Sequence, residues 1–402
     1  MSKKNIRDLA AASLKGSTVV VRADLNVPLD GARITDDQRI RASVPTLRLL
    51  VDAGARVVLL SHLGRPKGQA DPKYSLAPVA RRLSELLGNE VRFVPVPVGE
   101  EATTAVASLG DGEVALLENT RFLAGDTDND PALAARWAEL GTLFVNDAFG
   151  AAHRAHASTS GLAEAMKERG GEAVAGLLMA KELRFLGDAL NRPERPFVAL
   201  LGGAKISGKI DVIDALLPRV DRLLIGGAMA NTFFRALGLE TGASLVEDDR
   251  VDVAKATLER AGDRLILPVD CVVAEEIAEG AATAVKERTS VGAKDRIADI
   301  GPLTRDMYAR EIAGARTVVW NGPMGIFEVG AFAAGTMAVA HAVADACDAG
   351  TIAVLGGGDS AAAADAAGVS DRVTHVSTGG GASLEFLAGA DLPGVSALTE
   401  AD

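Results

Sequence analysis

Short apolar runs rich in Val, Leu and Ile recur along the whole chain, separated by stretches with helical periodicity. In the first half they fall at 19–22, 57–61, 91–94, 114–117 and 143–146, and in the second at 197–201, 222–225, 265–267, 317–320, 352–355 and 373–376. The runs show little apolar–polar alternation, as expected of strands buried on both faces of a parallel sheet. The stretches 41–53, 77–87 and 332–346 place apolar residues at helical spacing. Parallel neighbours need a crossover, and a helix supplies it, so the order strand–helix–strand predicts doubly wound α/β architecture. At 402 residues the chain exceeds one ordinary core, and two such domains are expected.

The predicted division is a first domain over 1–170, a hinge helix over 171–190, a second domain over 191–388 and a tail over 389–402 free to return to the first domain. The helix is read from Val174, Leu177, Leu178, Leu183, Phe185, Leu186 and Leu190 at helical spacing, between Gly170-Gly171 and Asn191-Arg192-Pro193. A stiff helix with glycines at one end suits a hinge, and an ordinary packed helix fits the same residues equally well.

Composition excludes several classes. Hydrophobic content of 48% and charged content of 24% are those of a soluble globular protein. The opening MSKKNIRDLAAASLKG is polar and amphipathic, so no signal peptide is expected, and no run approaches the length of a membrane span. Cys271 and Cys347 alone make neither a disulfide framework nor a Cys/His metal cluster, and a cytoplasmic setting is expected. The net charge of −12 argues against nucleic-acid binding. Residues 1–165 hold 19 Lys/Arg and 20 Asp/Glu, leaving 23 and 34 for the rest, so the acidity lies in the second half.

The second half carries glycine-rich turns directly after strand-like runs: VALLGGAK (198–205), VVWNGPMG (318–325), IAVLGGGDS (352–360) and HVSTGGGAS (375–383). Glycines let a ligand approach the backbone, and a helix start offers unpaired N–H groups to phosphate. Residues 203–209 fit a P-loop up to the last position, where Ile210 stands in place of a Mg²⁺-binding Ser or Thr. The match is therefore a decoy, although Lys205 and Lys209 at a glycine turn still favour an anion. Asp359 could cap a helix or hold a nucleotide-bound Mg²⁺. Glu328 could accept from ribose hydroxyls.

The first half instead places Arg22, Arg39, Arg65, Arg121 and Arg154 at or near strand ends, with His62, His153 and His156. Guanidinium forks match carboxylate and phosphate oxygens, so five together point to a small, highly anionic substrate. Asp24 and Asn26 could orient these arginines or accept substrate hydroxyls, and Asp147 could equally be a structural acceptor. Arginines in one half and phosphate-type turns in the other imply phosphoryl transfer in a cleft between them.

RADLNVP (22–28), SHLGRP (61–66), ENTRF (118–122), NDAFGAAHRAHAS (146–158), LGGAK (201–205), WNGPMGIFE (320–328), GGGDS (356–360) and STGGGASLE (377–385) closely resemble the phosphoglycerate kinase family, in its order and over nearly the whole chain. The resemblance implies reversible transfer of a phosphoryl group from 1,3-bisphosphoglycerate to ADP, giving 3-phosphoglycerate and ATP. It implies a cytoplasmic monomer that needs Mg²⁺, closes by hinge bending and binds neither nucleic acid nor membrane. Arg22, Asp24, Asn26, Arg39, His62, Arg65, Arg121 and Arg154 match glycerate-site positions. Gly203, Lys205, Gly226, Asn321, Glu328, Gly357, Gly358, Asp359 and Ser360 match nucleotide-site positions, Asp359 being the metal-associated one. Arg39 and Lys205 are assigned to the transferring oxygens, with Lys209 and the N–H groups of Gly380 and Gly381 completing the clamp. The chain departs from the family pattern at Gly208, Met324 and Ser360, where Asp, Pro and Thr are common.

Three rival readings fit the residues less well. A P-loop ATPase or GTPase is opposed by Ile210 and by the lack of a clear strand ending in Asp. A nicotinamide-dependent dehydrogenase is opposed by the lack of a G-x-G-x-x-G after the first strand of either half. A non-catalytic scaffold leaves the complete set of site residues without a purpose.

Overall fold

The computed structural model describes residues 3–401. The chain forms two compact units, one built from the segment up to Arg184 together with residues from Asp391 onward, the other from Phe185–Ala390.

The first unit contains β1 (Thr18–Arg22), the hairpin strands β2 (Leu29–Asp30) and β3 (Arg33–Ile34), β4 (Arg56–Leu60), β5 (Val91–Val94), β6 (Val114–Leu117), β7 (Leu143–Asn146) and β8 (Glu172–Ala175). Its main sheet is parallel in the order β5-β6-β4-β1-β7-β8. Central β1 carries Val19, Val20 and Val21, none with any exposure. Val19 and Val21 share a core with Ile40, Leu47 and Leu50 of the helix Gln38–Asp52 and with Val79 and Leu83 of the helix Ala77–Leu87. Each fully buried side chain of this kind contributes about 1.5–3 kcal/mol. The helix Ala77–Leu87 has Pro78 in its first turn and stops at Gly88, whose φ of 73° lets its N–H close onto the Ser84 carbonyl.

The expected helix over 171–190 divides. Residues Glu172–Ala175 are a strand paired with β7, and the helix is Leu177–Asn191. Gly176 separates them under a tight constraint, since a Cβ there would lie 2.1 Å from Asp147 Oδ1. That carboxylate oxygen accepts the N–H groups of Leu178 (2.9 Å) and Met179 (3.1 Å), so Asp147 caps the helix from a strand end, the structural-acceptor role. Burial raises its pKa to about 6. The boundary between the two units falls inside this helix, at Arg184 and Phe185. In the tail, Gly394 donates to the Ala152 carbonyl (2.9 Å) and accepts from Asn146 Nδ2 (3.0 Å).

The second unit contains β9 (Phe197–Leu201), β10 (Arg222–Ile225), β11 (Leu265–Ile266), β12 (Asp270–Ala274), β13 (Ala284–Glu287), β14 (Arg296–Ile300), β15 (Thr317–Asn321), β16 (Ile352–Gly356) and β17 (His375–Val376). Its parallel sheet runs β11-β10-β9-β15-β16-β17. A small antiparallel sheet, β13-β12-β14, adds to the two parallel sheets that the apolar runs predict. Its outer strand, AVKE, is exposed along nearly its whole length, so no apolar pattern marks it.

Candidate active site

In the first unit the basic residues converge at the carboxyl ends of β1, β4 and β6. Arg22 ends β1 and is wholly buried. Its Nε donates to Ser158 Oγ (3.0 Å), its Nη1 to the Ala23 carbonyl (2.5 Å), and its Nη2 meets His62 Nδ1 at 3.0 Å. A guanidinium only donates, so His62 Nδ1 accepts and the ring is the neutral Nε2–H tautomer. Burial holds the His62 pKa well below its usual value, reinforced by the charges of Arg22, Arg121 and Arg39. Arg121 donates to the Gly64 carbonyl (2.9 Å), while its buried Nε has no partner. Burial first, and then the Arg22 charge, lower its pKa to about 10.

Arg39 departs from the expected strand-end position, lying in the first turn of the helix Gln38–Asp52. The β2–β3 hairpin returns the chain so that its Nη1 reaches Asp24 (3.1 and 3.3 Å) and the Asn26 carbonyl (3.2 Å). Asn26 Oδ1 accepts the Gly64 N–H (2.8 Å) and ties this group to the loop after β4. Arg65 and Arg154 are exposed and make no ion pair among the described residues. The charge of Arg154 nevertheless acts on Arg121 and His156. His156 is buried, and its pKa is lowered to about 4, chiefly by burial.

Ser158 and Asp126 belong to this cluster and were not singled out from sequence. Ser158 ends the 146–158 motif and could have been found there. Asp126 sits in a run of aspartates that looks like any solvated loop, yet it has no exposure. Only folding shows which aspartate of that run is inside.

In the second unit the glycine turns gather at the carboxyl ends of β9, β10, β15, β16 and β17. Close packing explains some of the glycines. A Cβ on Gly202 would sit 2.0 Å from the Pro323 carbonyl oxygen, and one on Gly226 2.4 Å from Met324 Sδ. Asn321 Nδ2 donates to the Gly356 carbonyl (2.6 Å), and Ser360 Oγ accepts the Gly322 N–H (2.7 Å), joining the β15 and β16 turns. Gly357, with φ of 90°, precedes the helix Gly358–Ala366, and Gly380, with φ of 54°, precedes the helix Gly381–Leu387. Strands β16 and β17 are neighbours, so both helices start at adjacent strand ends.

Gly358 and Gly381 differ from the packing glycines. Neither has positive φ, and a Cβ on either meets nothing within 4 Å. The protein itself gives no reason for glycine there. A Cβ on Gly203, beside exposed Lys205, also meets nothing within 4 Å, but there the φ of 107° itself calls for glycine. Asp359 is exposed in the first helical turn and is not its cap, which is Gly357. Glu328 is exposed, with no ion pair among the described residues. Lys209 is half-buried, with Nζ 3.5 Å from the Asn321 carbonyl. Burial, only partly offset by Asp359, lowers its pKa to about 8. Ile210 opens the helix Ile210–Leu216 where a P-loop needs a hydroxyl.

Residues 6–390 match the family model "Phosphoglycerate kinase". The chain is 55% identical to a phosphoglycerate kinase of Chloroflexus aurantiacus and 52% identical to one of Prosthecochloris aestuarii, over the full length of each. Among solved structures it is similar to phosphoglycerate kinase from Coxiella burnetii (TM-score 0.88, 42% identity) and from Pyrococcus horikoshii (TM-score 0.84, 33% identity), covering 98% of each chain.

Proposed function

The chain belongs to the phosphoglycerate kinase family, and on that premise we propose how its residues divide the work of the glycolytic, ATP-generating phosphoryl transfer. The arginine-lined strand ends of the first unit take 3-phosphoglycerate or 1,3-bisphosphoglycerate, and the glycine-lined strand ends of the second take ADP or ATP. One observation carries the assignment: Arg22, Arg39, His62 and Arg121 lie together with burial working against charge on Arg22, His62 and Arg121. Packing alone gives no reason to hold guanidinium groups so close. A ligand with a carboxylate and a phosphate completes such a cluster.

The chemistry needs no general base. The attacking group is already an anion, the glycerate carboxylate in one direction and the ADP phosphate in the other. His62 is neutral with its Nδ1 engaged, so it serves as a hydrogen-bond donor through Nε2. Catalysis then rests on positioning and charge stabilisation around a nearly in-line phosphoryl group. Arg39, steadied by Asp24, and exposed Lys205 stabilise the transferring oxygens. Lys209 and the N–H groups of Gly380 and Gly381 complete the clamp on the nucleotide side.

Among the described residues no group of three or more His, Cys, Asp or Glu side chains could cage a metal. Exposed Asp359 suits an ion carried in by the nucleotide, because Mg²⁺ usually takes one or two carboxylates plus phosphates and water. When bound, Mg²⁺ neutralises phosphate charge. The proposed working form is a cytoplasmic monomer acting on small molecules and not on nucleic acid, in keeping with the net charge of −12 and two free cysteines. No helix among the described residues is long and apolar enough to cross a membrane.

Steady-state kinetics with 3-phosphoglycerate, ATP and Mg²⁺ test the assignment. Arg39→Ala and Lys205→Ala should each lower kcat on the order of 100- to 1000-fold, the usual cost of one electrostatic donor, with circular dichroism unchanged. Near-normal turnover in either variant removes that residue from the mechanism.

A further inference from the structure

The geometry points to Asp126 as a positioning residue, a resident counter-ion that balances the arginine cluster before the glycerate arrives and keeps the bound anion releasable. The inference rests on the glycerate-site assignment proposed above. Asp126 lies in the short helix Ala124–Thr127 and has no exposure. Its Oδ1 accepts the Ser158 N–H at 3.0 Å, and its Oδ2 is buried with no hydrogen-bond partner. The same Ser158 accepts Arg22 Nε through its hydroxyl at 3.0 Å. One residue therefore links the carboxylate to the most deeply buried guanidinium.

A buried carboxylate with an unpaired oxygen is costly unless charges compensate it. Here they do. Burial disfavours the charged forms of Arg22, Arg121 and His156, and for all three Asp126 is the largest influence in the opposite direction. Without it, Asp24 is the other carboxylate acting on Arg22 and Arg121. The cluster would repel itself in the free protein and hold an incoming multiply charged anion more tightly. Tighter binding of the ground state does not speed turnover, and it slows release. Asp126 thus lowers anion affinity in exchange for a stable empty site.

A plain structural role, accepting the Ser158 N–H, makes a different prediction. Asp126→Asn keeps an oxygen for that bond and removes only the charge. We expect 3-phosphoglycerate to bind this variant on the order of tenfold more tightly, as loss of one nearby like charge allows. KM for ATP should not change, and kcat in the direction that releases 3-phosphoglycerate should fall. The free variant should melt at a lower temperature than the wild type and gain more from added 3-phosphoglycerate. Unchanged or weaker 3-phosphoglycerate binding by a folded Asp126→Asn protein overturns the inference. Should the variant unfold alone, millimolar 3-phosphoglycerate or inorganic sulfate should restore its fold, and failure of both also overturns it. Arg121→Ala separates the two readings. If it leaves 3-phosphoglycerate binding unchanged, the site assignment itself fails, whatever Asp126→Asn does.

Discussion

Lys209 shows how a single side chain acquires chemistry from its surroundings. Its ammonium is half-buried against the Asn321 carbonyl, and burial lowers its pKa from the ordinary lysine value to about 8. The charged form is therefore lost as pH rises through about 8 in the free protein. kcat/KM reports free-enzyme ionisations, so kcat/KM for MgATP should decline above that pH. Lys209→Arg, which keeps its charge at every accessible pH, should abolish the decline; a profile identical in both proteins would place the titration elsewhere. His62 is settled differently, by a neighbour that can only donate. Arginines and lysines were visible as a pattern in the sequence because their type and position carry the signal. Asp126 was not, because its meaning lies in which charges surround it.

At the scale of elements, the glycine turns divide into two kinds that look alike in sequence. Gly202 and Gly226 are required by the backbone and side chain packed against them. Gly358 and Gly381 open two helices at neighbouring strand ends and leave their Cβ directions empty. Alanine at either open position should therefore fold normally, with stability changed by no more than about 1 kcal/mol, while KM for ATP rises at least several-fold because a methyl group occupies the phosphate approach. ATP titration and thermal melting of Gly358→Ala and Gly381→Ala check this, and unchanged nucleotide affinity in both would remove the helix starts from the site. The division of the expected 171–190 helix has a similar origin. Val174 fits helical spacing as well as strand pairing, and a short apolar run does not distinguish the two. Pairing with β7 and the Asp147 carboxylate beside Gly176 decide it.

For the molecule as a whole, the proposed donors lie on two separately packed units, and on the proposed assignment one phosphoryl group has to meet both. We expect the radius of gyration from small-angle scattering to fall when 3-phosphoglycerate and a non-hydrolysable MgATP analogue are present together, and to change little with either alone. No compaction in the ternary complex would argue against closure as the step that excludes water. The two doubly wound sheets were legible because strands buried on both faces leave continuous apolar runs, and crossover helices leave their own period. The antiparallel sheet β13-β12-β14 was not, because its exposed outer strand carries neither signal. Sequence alone determined the fold class, the strand–helix alternation of the two parallel sheets and the family, and it picked out the residue types proposed to meet phosphate, since all of these are local patterns in register. Tertiary structure alone decided which aspartate faces the arginines, which glycines are open and how Arg39 reaches Asp24. Burial and charge coupling are properties of neighbours in space, and residues distant in the chain become neighbours only when it folds.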